Sequence, residues 1–265
     1  MTHSVIIACA SNSDDILGAN LAASPVIGER LALHVQRNAP SATIAYNRAI
    51  DATDAEVVIF AHHDVYLPKG WDIVLANRLA ELDKHHPDWA LAGAFGVASN
   101  SKQFGPVWTS SLGQIIGHVP MGPEPVNSFD EMLIVLRRSS GLRFDELFPG
   151  WHMYGTDIVC QARAAGKKAY AVGLPCIHND RFHGALGPDF TESYRQMQQK
   201  WRQFLPIQTP VTKISASGLH LMRERWNMRN SEGQRQMDSV DTGTAPDQLA
   251  ARCGWSDLSA SITTV

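Results

Sequence analysis

The stretch Glu56-Val-Val-Ile-Phe-Ala-His-His-Asp64 decides the fold of this chain. Its apolar run, Val57 to Ala61, is rich in β-branched residues and is typical of a strand buried on both faces. The run ends in three consecutive polar side chains, His62, His63 and Asp64, each of which can bind a metal ion. A buried strand therefore delivers a polar cluster to one edge of a predicted sheet.

Segments with strand and helix patterns alternate outward from this stretch as far as about residue 205. The predicted strands include 4–10, 89–95, 132–136 and 168–172, and the predicted helices include 42–52, 71–84, 156–165 and 191–204. This alternation predicts an α/β fold with a mainly parallel sheet and helices on both faces. We expect one domain over 1–205, with 206–265 as a helical appendage or partly disordered tail, because the chain is polar beyond Asn230.

Composition and charge exclude several classes of protein. The 265 residues carry a formal net charge of -3, so there is no basic excess to hold a nucleic acid backbone. No stretch approaches the roughly 20 apolar residues needed to span a bilayer. The cysteines are scattered and form no CxxC pair, which predicts reduced structural thiols in a cytoplasmic protein. They are Cys9, Cys160, Cys176 and Cys253.

The end of the central strand is a candidate metal site. Residues i and i+2 of a strand project to the same side, so His62 and Asp64 can face one ion while His63 points away. Imidazole with carboxylate suits Mn²⁺ or another first-row divalent ion better than Ca²⁺. The alternative is that these residues only cap a strand at the surface. His178, after a later strand, matters as a third partner for this pair.

An aromatic loop leads into a predicted helix with Asp157 in its first turn and Thr156 as its N-cap. The helix dipole keeps Asp157 ionised, so it is a candidate base for an acceptor hydroxyl, or else only a residue that the dipole favours. Trp151 and Tyr154 are either platforms for a sugar ring or core aromatics. His152 is a ligand, an acceptor contact or a packed histidine.

Two further hypotheses follow from position along the chain. In a parallel sheet the ligand lies at the carboxyl ends of the strands, so Ser11, Asn38 and Asn47 are candidate nucleotide contacts, with turn formation as the alternative for Ser11 and Asn38. The apolar stripe of 191–204 either docks peripherally on a membrane or, as in most globular proteins, packs in the core, which we favour.

The motifs together resemble a known group of enzymes. Tyr46-Asn47-Arg48-Ala49-Ile50 followed by the strand ending in His62-His63-Asp64 resembles family-2-like glycosyltransferases, where an Asn-containing helix precedes a strand ending in Asp-x-Asp. Here the motif is similar to the His-Gln-Asp-Val form of StrF-like enzymes. Phe144-Asp145-Glu146, the run from Trp151 to Asp157, Gly166 and His178 resemble that family's later motifs. The resemblance covers roughly residues 4 to 180.

The resemblance implies a GT-A fold forming a single nucleotide-diphospho-sugar-binding domain. It implies a UDP- or GDP-linked donor, Mn²⁺ or Mg²⁺ as cofactor, and a hexosyltransferase-like, metal-dependent transfer to an acceptor hydroxyl. It assigns the metal and diphosphate to Asp64, with His62 helping and His178 completing the coordination. It places Asp130 near the sugar or acceptor and makes Asp157 the candidate base, which would give inversion.

The sequence departs from the family pattern at three positions. His62 replaces the first carboxylate of Asp-x-Asp, Gly155 stands where an Asp is usual, and Glu131 stands where a Gly is common. Two other functions therefore stay open. They are a non-catalytic GT-A-like module that binds nucleotides or sugars, and a metal-dependent hydrolase that uses the same His and Asp residues.

Overall fold

A computed structural model describes residues 3–259 of the chain. The strands are β1 Val5–Ser11, β2 Ala32–Arg37, β3 Val57–His62, β4 Val65–Tyr66, β5 Trp89–Gly93, β6 Gly96–Val97, β7 Gln103–Phe104, β8 Val107–Thr109, β9 Gln114–Ile116, β10 Glu124–Pro125, β11 Ser128–Phe129, β12 Leu133–Arg137, β13 Lys168–Ala171, β14 Cys176–His178, β15 Ile207–Gln208 and β16 Lys213–Ile214. The helices are α1 Asp14–Ala19, α2 Ala42–Asp51, α3 Trp71–His85, α4 Tyr154–Ala164, α5 Pro188–Lys200, α6 Leu219–Asn230, α7 Glu232–Asp238 and α8 Pro246–Arg252.

A seven-stranded sheet in the order β10-β13-β5-β12-β3-β1-β2 forms the centre of the molecule. β1, β2 and β3 are mutually parallel, and β13 is parallel to β5. β12 runs against both β3 and β5, so these two point the same way, and β10 runs against β13. Five of the seven strands therefore share one direction, which confirms the prediction of a mainly parallel α/β sheet.

Helices cover both faces of this sheet, as predicted. Alternate residues of β3 point to opposite sides: Phe60 joins the core under α2, α4 and α5, and Ile59 joins the core under α1 and α3. Both side chains are fully buried, which explains why the strand is a continuous apolar run.

A smaller sheet, in the order β4-β14-β8-β9, lies at the carboxyl end of β3. Only two residues separate β3 from β4, and β14 pairs with β4 in antiparallel fashion, His178 opposite Val65. The backbone N–H of Asn179 also donates to the Asp64 carbonyl at 2.9 Å. This pairing brings His178 beside Asp64, although 114 positions separate the two residues.

The segment from residue 206 to 259 forms the β15–β16 hairpin and the helices α6, α7 and α8. Leu249 of α8 is fully buried and clusters with Tyr66 and Ile177 of the smaller sheet. Leu258 packs into the core on the α3 side. Part of this segment is thus packed against the rest of the chain. Within residues 3–259, none of the helices combines the length and the apolar character that crossing a membrane requires.

One local prediction needs correction. The helix expected over 156–165 begins at Tyr154, and its N-cap is Met153 in the left-handed region at φ 62°, not Thr156. For 191–204 the favoured interpretation, packing in the core rather than on a membrane, is confirmed, because Tyr194, Met197 and Trp201 are between 0 and 7% exposed and form part of the core. The stripe is apolar because it packs under the sheet.

Candidate functional site

Three metal-capable side chains meet at the carboxyl edge of the central sheet. One ligand atom from each of His62, Asp64 and His178 lies within 4.8 Å of the other two. The closest measured approach is 3.4 Å, between His178 Nε2 and Asp64 Oδ1. Two ligands of one ion with bonds of about 2.0–2.2 Å can be at most about 4.4 Å apart, so small side-chain movements bring all three onto one cation.

The Asp64 carboxylate carries the clearest sign of a missing partner. Its Oδ1 atom is buried and accepts no hydrogen bond of good geometry, although the His178 ring lies 3.4 Å away, and such a position is costly for a charged oxygen. Burial opposes ionisation, but the His178 and His62 rings outweigh it and hold the pKa of Asp64 well below its usual range. An ionised buried oxygen without a donor fits a cation, so the residues present match the divalent ion that the resemblance implies.

The two histidines differ in their charge. Burial lowers the pKa of His62 to about 4, against the opposing effect of Asp64, so this ring is neutral and able to bind a metal. Burial also works against charge on His178, but the Asp180 and Asp64 carboxylates raise its pKa to about 10. A cation that binds His178 must therefore displace a proton from it.

A short chain of polar contacts holds the His62 ring in place. Its Nε2 lies 2.9 Å from the Tyr154 hydroxyl, which in turn donates to the Glu131 carbonyl at 3.3 Å. With its hydroxyl proton on Glu131, Tyr154 accepts from Nε2–H of His62, and the other ring nitrogen keeps a lone pair. Tyr154 is 1% exposed and packs among Tyr46 and Phe144, so it is a core aromatic and not an open sugar platform.

A cavity of about 800 Å³ opens beside these residues. Asp130, His178 and Asp180 line its inner side, and Glu224 and Met228 of α6 line its outer side. Ligand pockets typically measure about 300–1,000 Å³, so this one has room for a nucleotide-sized molecule. Burial raises the pKa of Asp130 above its usual range.

The expectation that Asp157 faces the cavity with a free carboxylate is not met. The residue is 1% exposed and is absent from the cavity lining. Its Oδ1 accepts from Trp201 Nε1 and lies beside Lys200 Nζ, both at 2.7 Å, and its Oδ2 accepts from Gln161 at 2.7 Å. We therefore interpret Asp157 as the residue that fastens the end of α5 to α4.

The proposed nucleotide contacts separate into two groups. Ser11 and Asn38 lie together at the carboxyl ends of β1 and β2, where the Asn38 N–H donates to the Ser11 carbonyl at 3.2 Å. The Ser11 hydroxyl is 3.0 Å from His63 Nδ1. Asn47 is elsewhere: it is 3% exposed, and its amide exchanges hydrogen bonds with both backbone groups of Phe144. Asn47 thus holds a loop and has no free group for a ligand.

The aromatic loop before α4 brings one predicted residue to the cavity. His152 lines it, with Nε2 3.1 Å from Asp189 Oδ2 and the ring edge against Phe190. Trp151 is 43% exposed but is not part of the lining. His152 therefore lies at the cavity and Trp151 does not.

Sequence reasoning missed Asp180 as a member of the site. Its Oδ1 accepts from the Thr109 hydroxyl at 2.8 Å and from the Ser111 N–H at 3.1 Å, and lies 4.0 Å from His178 Nδ1. The spacing of His178 and Asp180 repeats the i, i+2 spacing of His62 and Asp64. That repetition after a strand is the signal that could have identified it.

A known protein resembles this chain in sequence over part of its length. No family model matches the chain. A protein of Fuscovulum blasticum, named ATP synthase subunits region ORF 6, is 29% identical over 159 residues, and the match covers 56% of this chain and 61% of that protein. The chain thus spans less than two thirds of that relative, whose name states no activity.

Several solved glycosyltransferase structures resemble the molecule. GalNAc-T7 with UDP, GalNAc and Mn²⁺ has a TM-score of 0.51 at 9% identity and covers 99% of this chain and 56% of that one. The mannosyltransferase PcManGT of Pyrobaculum calidifontis, in complex with GDP-Man and Mn²⁺, has a TM-score of 0.44 at 12% identity and covers 98% of this chain and 78% of that one. The likeness to GalNAc-T7 identifies the fold as GT-A and confirms that prediction.

Proposed function

We propose that the chain is a metal-dependent glycosyltransferase that moves a hexose from a UDP- or GDP-linked donor to an acceptor hydroxyl, with inversion. The observation that supports this most is the convergence of His62, Asp64 and His178 at the carboxyl edge of a GT-A sheet, with Asp64 Oδ1 buried and lacking a donor. The StrF-like motifs favour the same class of enzyme, with Mn²⁺ or Mg²⁺ as the cation.

Different residues of the candidate site would bind the cation, the nucleoside, the sugar and the acceptor in such a transfer. A divalent cation held by the three ligands would neutralise the charge that develops on the leaving diphosphate. In this proposal Ser11 and Asn38, at the carboxyl ends of β1 and β2, would contact the nucleoside, and Asp130 and His152, which line the cavity, would contact the sugar and the acceptor. Holding the hydroxyl opposite the leaving group gives attack in line and hence inversion.

Calorimetric titration with UDP and with GDP, each with Mn²⁺ or with EDTA, tests the binding half of this proposal. We expect binding of one nucleotide that requires Mn²⁺ and is lost in Asp64→Ala and in His178→Ala. His85→Ala is the matched control, because His85 is exposed at the end of α3.

Turnover is then measured with UDP-glucose, UDP-GlcNAc and GDP-mannose. Absence of Mn²⁺-dependent binding by either nucleotide would overturn the proposal. Binding without turnover of any donor would favour a non-catalytic module, and donor cleavage that never transfers sugar to an added hydroxyl acceptor would favour a hydrolase.

A further inference from the structure

Helix α6 carries apolar side chains on two opposite sides. Leu221, Glu224 and Met228 are three and four residues apart, so they share one side of the helix. This inner side faces the protein, because Leu221 is buried in the core and Glu224 and Met228 line the cavity. Packing within the chain therefore explains the apolar residues of the inner side.

The outer side of α6 carries a second apolar stripe that packing does not explain. Leu219, Met222 and Trp226 follow the same spacing of three and four residues, about half a turn away from the inner side. Their exposed fractions are 66, 67 and 67%, so folding leaves most of each residue in solvent. Large apolar side chains that lie side by side in solvent mark a contact surface. We call these three residues the outer stripe.

Two arginines flank the outer stripe. Arg223 lies four residues from Leu219 and three from Trp226, along one edge. Arg229 lies three residues from Trp226, along the other edge. Both arginines are exposed, and within residues 3–259 neither forms an ion pair. Glu224, the one carboxylate of α6, is on the inner side, so the outer side is apolar along its centre and positively charged at its edges.

The charge and the size of this surface favour one kind of partner. Isologous association of two copies would bring the arginines of both copies together, and like charges repel. Three apolar side chains also offer less area than the about 800 Å² that each partner buries in a stable protein interface. An anionic lipid surface suits both features, because its phosphates attract arginine and its head-group region accepts tryptophan and leucine side chains.

We propose that the outer side of α6 docks the chain on a membrane surface that contains anionic lipid. In this contact α6 lies parallel to the surface, with the outer stripe inserted among the head groups and Arg223 and Arg229 against their phosphates. The inner side of the same helix lines the cavity, so the membrane surface would lie about one helix diameter, or about 10–12 Å, from the cavity. The docking is independent of the proposed sugar transfer, since it requires neither the cation nor the donor.

Co-sedimentation of the full chain with lipid vesicles tests the proposal. We expect the wild type to sediment with vesicles of equal parts phosphatidylcholine and phosphatidylglycerol, to stay in solution with phosphatidylcholine alone, and to be released by high salt. Arg223→Gln combined with Arg229→Gln should lower the partition coefficient by about 30-fold, which corresponds to about fivefold for each arginine. Trp226→Ser should lower it by about tenfold, because it removes the largest apolar side chain of the outer stripe.

Matched variants elsewhere on the surface are the controls. Arg48→Gln combined with Lys84→Gln removes the same charge from exposed positions of α2 and α3. Met121→Ser removes a side chain that is 97% exposed, between β9 and β10. Both controls should bind the mixed vesicles as the wild type does. The chain has a net charge of -3, so general attraction to anionic lipid does not account for binding. Thermal melting followed by circular dichroism checks that every variant folds.

Three results would overturn the proposal. The first is a wild type that does not bind the mixed vesicles. The second is a folded pair of α6 variants that bind as tightly as the wild type, or controls that lose binding to the same extent. The third is a dimer in light scattering that becomes a monomer in Trp226→Ser, without vesicle binding, which would assign the outer stripe to a second copy of the chain.

Discussion

Replacing Asp157 by Ala should weaken the fold and leave the chemistry intact. The carboxylate receives three polar partners at 2.7 Å, from Trp201, Lys200 and Gln161. Hydrogen bonds to a charged group contribute about 1.5–3 kcal/mol each, but such energies are not additive within one network.

The expected cost follows from what the change leaves behind. Removing one partner of a buried ion pair costs about 3–5 kcal/mol. The Lys200 side chain is 25% exposed and keeps a second carboxylate, Asp145 Oδ2, at 2.6 Å. The loss should therefore lie at the lower end, about 3 kcal/mol in the free energy of unfolding. Trp201→Phe removes one donor to the same carboxylate and should cost about 2 kcal/mol.

Urea denaturation followed by circular dichroism measures the free energy of unfolding, and donor cleavage per folded molecule measures turnover. We expect Asp157→Ala to keep turnover within an order of magnitude of the wild type. The reasoning is refuted if Asp157→Ala unfolds at the wild-type urea midpoint and loses turnover by about 10² or more, since that pattern belongs to a general base.

Three other predictions test separate parts of the molecule. Because the pKa of Glu131 rises on folding from 4.5 to about 8, its stabilising effect is present below pH 4.5 and is lost as the pH rises through about 8. Between pH 4.5 and about 8, the melting temperature of the wild type should therefore fall relative to that of Glu131→Gln. A constant difference between the two melting temperatures over this pH range would contradict the raised pKa of Glu131. Asn47→Ala should cost about 2 kcal/mol in urea denaturation, because Phe144 loses its partners, and nucleotide affinity should not change; the reverse pattern would return Asn47 to the nucleotide site. In Gly113→Ala the new Cβ would lie 1.9 Å from the Asp238 carbonyl, so hydrogen exchange should show the segment around residue 238 released. Gly141→Ala is the control: Gly141 has a similar positive φ, but no atom lies near the position of an added Cβ, so the change should cost only the backbone strain.

Local patterns predicted the sheet and the first two metal candidates well. The run from Val57 to His62 has one interpretation, because β-branched residues in a continuous apolar stretch suit a strand covered on both faces. The order of strand and polar end then located His62 and Asp64 at the carboxyl edge of the sheet. Both inferences depend on neighbours in the sequence, where periodicity is informative.

The remaining features of the site depend on contacts between distant residues. Asp157 resembles an open first-turn carboxylate until Trp201, 44 positions later, donates to it. Glu131 resembles an ordinary loop residue until its carboxylate meets the Gly155 N–H, 24 positions later. No local periodicity encodes whether Asp157 or Glu131 receives a buried donor. The sequence could therefore predict an acidic group at the start of α4 but not which residue supplies it.

The strand that carries His178 is synthesised well before the residues that cover it. Its neighbour Ile177 is covered by Leu249, and the Asn179 amide donates to the Thr242 carbonyl at 3.0 Å. A ribosome adds about 5–20 residues per second, so Leu249 joins the chain roughly 4–14 seconds after His178. Over that interval the nascent chain already holds every strand of the central sheet, but β14 lacks its outer cover. The third candidate cation ligand thus acquires its final neighbours only late in translation, after the polypeptide that forms the sheet has been made.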